Sequence, residues 1–138
     1  MHIRTPVTPS HSLLLWNARD DFPNAPEFMQ DAGWSVLHFA CVEDFRSKAA
    51  TMTVDALLWP VDPLSAENLE SLREVVFLLS GSDPLVMTYA RFNPRWMGNL
   101  MEQSGSQMHF QGVPSLRDVL SVVQAQVETA GFEKRRGT

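Results

Sequence analysis

The sequence predicts an α/β fold: a five-stranded parallel sheet, doubly wound, with strand order 2-1-3-4-5 in a three-layer sandwich. Three observations point there. Short continuous apolar runs, such as SLLLW (Ser12 to Trp16) and PLVMTYA (Pro84 to Ala90), fit strands buried on both faces of a sheet. Between them lie segments of helical period, of which SAENLESLREVVFLLSG is the clearest. The two kinds alternate five times, and right-handed crossovers turn that alternation into a parallel sheet covered by helices on each side.

SLLLW is the first strand. NARDDFPN follows, then APEFMQDAG, a short helix with Asn24 as cap, Pro26 in the tolerant first turn and Gly33 as its stop. WSVLHFA (34–40) is the second strand and VEDFRSKAATM the second helix; VDALLWPV is the third strand. In the third helix Ser65 is the N-cap, Leu69, Leu72, Val76 and Leu79 form the apolar stripe, and Gly81 ends it. PLVMTYA leads into NPRWMGNLMEQSG, whose Asn93 and Pro94 read as cap and first helical residue. QMHFQGV is the fifth strand. SLRDVLSVVQAQVETAG is the last helix, with Ser115 and Asp118 placed for a capping box and Leu116, Val119, Leu120, Val123 and Val127 on its apolar face.

One domain of roughly residues 10–131 follows, with a flexible arm at 1–9 and a tail or linker start at 132–138. The chain of 138 residues is long enough for one real core. Its 44% hydrophobic and 20% charged residues exclude a wholly disordered chain. A net charge of -5 argues against direct nucleic-acid binding, which needs clustered Lys and Arg; the one such run, Lys134-Arg135-Arg136, lies at the end. Cys41 is the single cysteine, so no intramolecular disulfide forms. No apolar run reaches membrane-spanning length and MHIRTPVTPSH lacks a signal peptide's apolar region, so a cytoplasmic protein without membrane contact is expected.

In such a sheet, function sits at the carboxyl ends of the strands. Those ends read Trp16 to Asp21, Ala40-Cys41, Trp59 to Asp62, Thr88 to Arg91, and Gly112 to Pro114. No glycine-rich turn follows the first strand. The four histidines, His2, His11, His38 and His109, show no metal-ligand spacing, and nothing sets a base beside Ser10, Ser80 or Ser104. Neither an enzyme nor a metal or cofactor site is expected.

The layout from SLLLWN through EFMQDAGWSVLHF, VDALLW, PLVMTYA and VPSLRDVL resembles the CheY-like receiver domain of two-component response regulators, a flavodoxin-like fold, over nearly the whole chain. The resemblance implies an acidic pair after strand one for Mg²⁺, a phospho-accepting Asp after strand three, a hydroxyl after strand four and a Lys before a Pro after strand five. Counting back from Gly33, the acidic pair falls on Trp16 and Asn17, and the acceptor falls on Trp59 or Pro60. The hydroxyl position falls on Thr88 or Tyr89, and the Lys on Val113, before Pro114. Neither Trp, Pro nor Val accepts or balances a phosphoryl group. The resemblance is therefore to a pseudo-receiver, with Trp16 and Trp59 side by side where a metal would lie.

The leading expectation is a non-catalytic, phosphorylation-independent signalling module that acts through a protein partner, an output domain beyond FEKRRGT, or dimerisation. By the family's pattern its contact face is helix 4, strand 5 and helix 5, with Trp96, Met97, Met101, His109, Arg117 and Ser121; Leu100 adds to an apolar surface larger than one core stripe needs. Two alternatives stand beside it. One is a flavodoxin-like module holding a small ligand or nucleotide, with Arg19 or Arg91 pairing an anion. The other is an active receiver in which Asp20, Asp21 or Asp62, slightly displaced, restores phosphorylation.

Overall fold

The computed structural model describes residues 11–136, with side chains to Thr129. The expected arm at 1–9, with His2, and the last two residues lie outside that range. The strands are β1 (His11–Trp16), β2 (Trp34–Phe39), β3 (Ala56–Pro60), β4 (Leu85–Ala90) and β5 (Met108–Gln111). The helices are α1 (Ala25–Gln30), α2 (Val42–Ala49), α3 (Ala66–Leu78), α4 (Met97–Ser104) and α5 (Leu116–Arg136). All pairings are parallel and the order is β2-β1-β3-β4-β5, as the sequence predicts.

Strand alternation divides the core in two. Leu13, Leu15, Ala56, Leu58, Met87 and Tyr89 face α1 and α5, where Ala25, Met29, Val119 and Val123 meet them. Leu14, Trp16, Leu57, Trp59 and Val86 face α2, α3 and α4, against Phe45, Leu72, Val75, Leu79, Met97 and Met101. Because β1, β3 and β4 are covered on both sides, their sequences are nearly all apolar rather than alternating. Asp55 sets the start of this sheet: its carboxylate accepts the Ser12 N–H at 2.8 Å and its own N–H donates to the Ser12 carbonyl.

Helix ends show where local signals held. Ser65 Oγ accepts the Asn68 N–H, so it caps α3 as expected, and Ser115 Oγ accepts the Asp118 N–H. Asn24 stands at the N-cap of α1 without a side-chain cap bond. The buried face of α3 is Leu72, Val75 and Leu79; Leu69 and Val76 flank it, so the stripe is rotated from the expected one. α3 stops at Leu78, and the left-handed residue after it is Asp83, not Gly81. α2 ends at Ala49, three residues short of Met52, where the Thr51 hydroxyl donates to the Lys48 carbonyl. α4 starts at Met97 rather than Pro94, because the Asn93 side chain is bonded elsewhere. α5 runs on to Arg136, past Gly131.

Replacing Ser65 with Ala removes the only side-chain acceptor for the Asn68 N–H. A loss of about 1 kcal/mol in urea unfolding is expected; an unchanged midpoint would show that the cap contributes nothing.

Candidate functional site

The carboxyl edge of the sheet is built from three side-chain groups. The first is aromatic. Trp16 ends β1 and Trp59 lies near the end of β3, and their rings stack with centroids 4.5 Å apart and planes 16° from parallel. Phe45 of α2 meets Trp16 edge-on at 5.9 Å and also meets Phe39 of β2 edge-on. Trp59 is fully buried and Trp16 is 5% exposed. Two indoles therefore close the β1 and β3 ends with apolar surface, in offset and edge-to-face geometries that aromatic quadrupoles favour.

Asn68 in the first turn of α3 finishes that end. Its amide donates to the Pro60 carbonyl at 3.0 Å, and its oxygen accepts the Asp62 N–H at 3.0 Å and, at 3.5 Å, the Trp59 indole N–H. Asp62 is exposed and accepts the Leu64 N–H at 3.0 Å, which shapes the loop. Nothing in the sequence singled out Asn68. Its place three residues after the capping Ser65 is the signal that could have found it.

The second group ties β4 to the β1–α1 loop. The Tyr89 hydroxyl donates to Asp21 at 2.7 Å, and Arg91 donates to the other Asp21 oxygen at 2.5 Å. Phe22 packs edge-on against the Tyr89 ring. The Arg91 hydrogen bond holds the Asp21 carboxyl below its ordinary range, against the opposing effect of partial burial and with help from Tyr89. Burial, then the bond to Asp21, pushes the Tyr89 phenol well up, so it stays protonated. Asp21 is thus fully engaged within the protein, while Asp20 is exposed.

The third group faces α4. Asn93 Nδ2 donates to the Ala90 carbonyl at 2.7 Å, which turns Oδ1 toward His109 Nε2 at 2.6 Å. Nε2 therefore carries the proton, and His109 Nδ1 accepts from the Thr88 hydroxyl at 2.8 Å. Thr88 also meets Ser106 Oγ at 2.8 Å and Met101 Sδ at 3.3 Å. Burial lowers the His109 pKa, which favours this neutral ring.

The predicted site residues thus separate. Trp16, Trp59, Pro60 and Asp62 share one end of the sheet. Tyr89 turns to the α1 side and Thr88 to the α4 side, being successive residues of one strand. Asn17 is exposed with φ 46°, its N–H bonded to the Phe39 carbonyl, and Val113 is exposed after β5. Of the expected contact face, Met97 and Met101 are 4% exposed and belong to the core, so they are corrected to packing residues; Leu100 is half-buried against them. Trp96 is 48% exposed, Arg117 and Ser121 are exposed, and His109 is partly buried in its network. Among the described residues no group of three or more His, Cys, Asp or Glu stands in metal-binding proximity, and no helix is long and apolar enough to cross a membrane.

Two outcomes test this geometry. Trp59→Ala should cost about 3 to 5 kcal/mol in chemical denaturation, as for other large buried aromatics, and should abolish any coupled-indole feature in near-ultraviolet circular dichroism. Since the folded pKa of Asp21 is depressed, its stabilising contribution is complete above about pH 4 and lost as pH falls through the folded value. The stability difference between wild type and Asp21→Asn should therefore be largest near neutral pH and shrink in acid; a pH-independent difference would contradict the ion pair.

No protein-family model matches the chain, and no curated protein matches it. Solved structures do. A CheY-like response regulator receiver domain protein of Methanospirillum hungatei JF-1 superposes with a TM-score of 0.67 at 15% identity, covering 89% of this chain and 98% of that one. A two-component response regulator of Clostridium difficile gives 0.70 at 12% identity, over 86% and 97% of the two chains. A response regulator of Burkholderia pseudomallei, with a phosphorylated aspartic acid, calcium ion and citrate, gives 0.67 at 10% identity, over 91% and 73%. This chain has the fold of the response-regulator receiver domains.

Proposed function

We propose that the chain is a receiver-like signalling module that works without phosphorylation and without catalysing a reaction, through contact with a protein partner, an output domain or a second copy. The observation that carries this reading is the Trp16–Trp59 stack at the carboxyl ends of β1 and β3. Phosphoryl transfer to an aspartate needs oxygen ligands for a hard cation and a carboxylate to attack. The B. pseudomallei neighbour holds a phosphorylated aspartate and a calcium ion. Here the two places carry indoles with at most 5% exposure.

Of the displaced acids, Asp21 supports the same reading, being bonded to Tyr89 and Arg91; Asp20 and Asp62 are exposed and stand in no cluster of three or more metal-ligating side chains among the described residues. By the receiver pattern, the charge-balancing Lys falls on Val113. The exposed aromatics of the β4–α4 connection, Phe92 and Trp96, together with Arg117 and Ser121 of α5, offer the contact surface. With a net charge of -5, the partner is protein rather than nucleic acid, and the expected place is the cytoplasm.

Amide NMR with Mg²⁺ and then beryllofluoride, an analogue of a phosphoryl group on aspartate, tests the proposal. Resonances of Asn17, Asp21, Trp59 and Asp62 should stay still. If they move together and saturably, the domain is a working phosphorylation switch and the proposal fails.

A further inference from the structure

A cavity of about 340 Å³ opens between the carboxyl ends of β1 and β2, outside the Trp16–Trp59 stack, and its lining includes Ala18, Arg19, Asp20 and His38. It belongs to none of the three groups described above. The size falls within the usual range for small-molecule sites.

The backbone here leaves donors free. Asn17 takes a left-handed φ of 46° and its N–H closes onto the Phe39 carbonyl, so the chain turns sharply out of β1. The next three N–H groups, of Ala18, Arg19 and Asp20, have no hydrogen-bond acceptor among the described residues, although Ala18 is buried. Successive N–H groups after a left-handed residue form a concavity that suits an anion. A buried N–H without a partner is uncommon, which makes that of Ala18 informative; Arg19 and Asp20 are exposed, and their N–H groups are open to solvent or to a ligand.

The side chains agree with the backbone. Arg19 is exposed and, like Arg73, Arg95 and Arg117, has no carboxylate within ion-pair distance among the described residues; of these, Arg19 is the one that lines this cavity. His38, half-buried on the edge strand, lines the same cavity. Burial, and after it the charge of Arg19, holds the His38 imidazole below its usual pKa. Asp20 also lies on the rim and offsets one positive charge, so recognition would rest on direct hydrogen bonds rather than on a broad positive field.

We infer that the β1–α1 turn, Arg19 and His38 form a binding site for a small ligand carrying a phosphate group, held by the N–H groups of residues 18–20 and the Arg19 guanidinium. The site lies beside the receiver-like phosphorylation position and does not depend on that position being inactive. It needs neither a metal nor a phospho-accepting aspartate.

Inorganic phosphate is the probe, titrated at constant ionic strength against chloride, with the His38 ring and the Ala18, Arg19 and Asp20 amides followed by NMR. The expected result is saturable shifts of these signals with phosphate alone. By linkage the His38 pKa should rise when phosphate is bound. Arg19→Gln, an exposed change that leaves the fold intact, should weaken phosphate binding about tenfold or more, the loss of one charge-assisted hydrogen bond. Shifts that are linear, equal for chloride, or unchanged in Arg19→Gln would overturn the site, as would saturation at residues elsewhere in the chain.

Discussion

Burial of the central strands on both faces is the constraint from which the carboxyl edge takes its form. β1, β3 and β4 have helices above and below, so a side chain on them must be apolar or satisfied inside the protein. Trp16 and Trp59 meet the requirement by stacking on one another. Thr88 meets it through His109, Ser106 and Met101, and Tyr89 through Asp21. Among the described residues no buried side-chain nitrogen or oxygen lacks a partner.

Filling the edge with indoles changes what holds the loops. A site centred on a cation gathers the surrounding loops around oxygen ligands. In this chain the loops are held by internal pairs. Asp21 links the β1–α1 loop to Tyr89 and Arg91, Asn68 links α3 to the end of β3, and Asn93 links the start of α4 to β5 through His109. The Tyr89–Asp21, Asn68–Pro60 and Asn93–His109 bonds lie between partly covered groups and are stronger than the same contacts in open water, whereas the Arg91 end of its pair is exposed. The loops are ordered by the chain's own side chains, with the exposed Phe92 and Trp96 on one side of them and the cavity beside Arg19 on the other.

Several errors of local reading share one cause. Asn93 followed by Pro94 has the composition of a helix start, yet its amide is taken by Ala90 and His109, so α4 begins three residues later. Met97 and Met101 resemble a contact surface in a linear view but belong to the second core, where Met101 meets Thr88. Asp20 and Asp21 are adjacent and alike in sequence; one is exposed and the other has two partners drawn from β4 and the residue after it. In each case a partner distant in the chain decides the role.

By itself the sequence determined the elements and their order, because apolar runs of strand length, helical periodicity and caps such as Ser65 are local properties of the chain. It also determined that indoles stand at the ends of β1 and β3, and the parallel order placed them side by side. Only the tertiary structure decided that Asp21 belongs to Arg91, that Asn68 closes β3, that His109 is partly buried between Thr88 and Asn93, and that Arg19 stays unpaired beside a cavity. Those pairings join residues up to 70 positions apart, and at that separation no local periodicity or spacing specifies which polar groups meet.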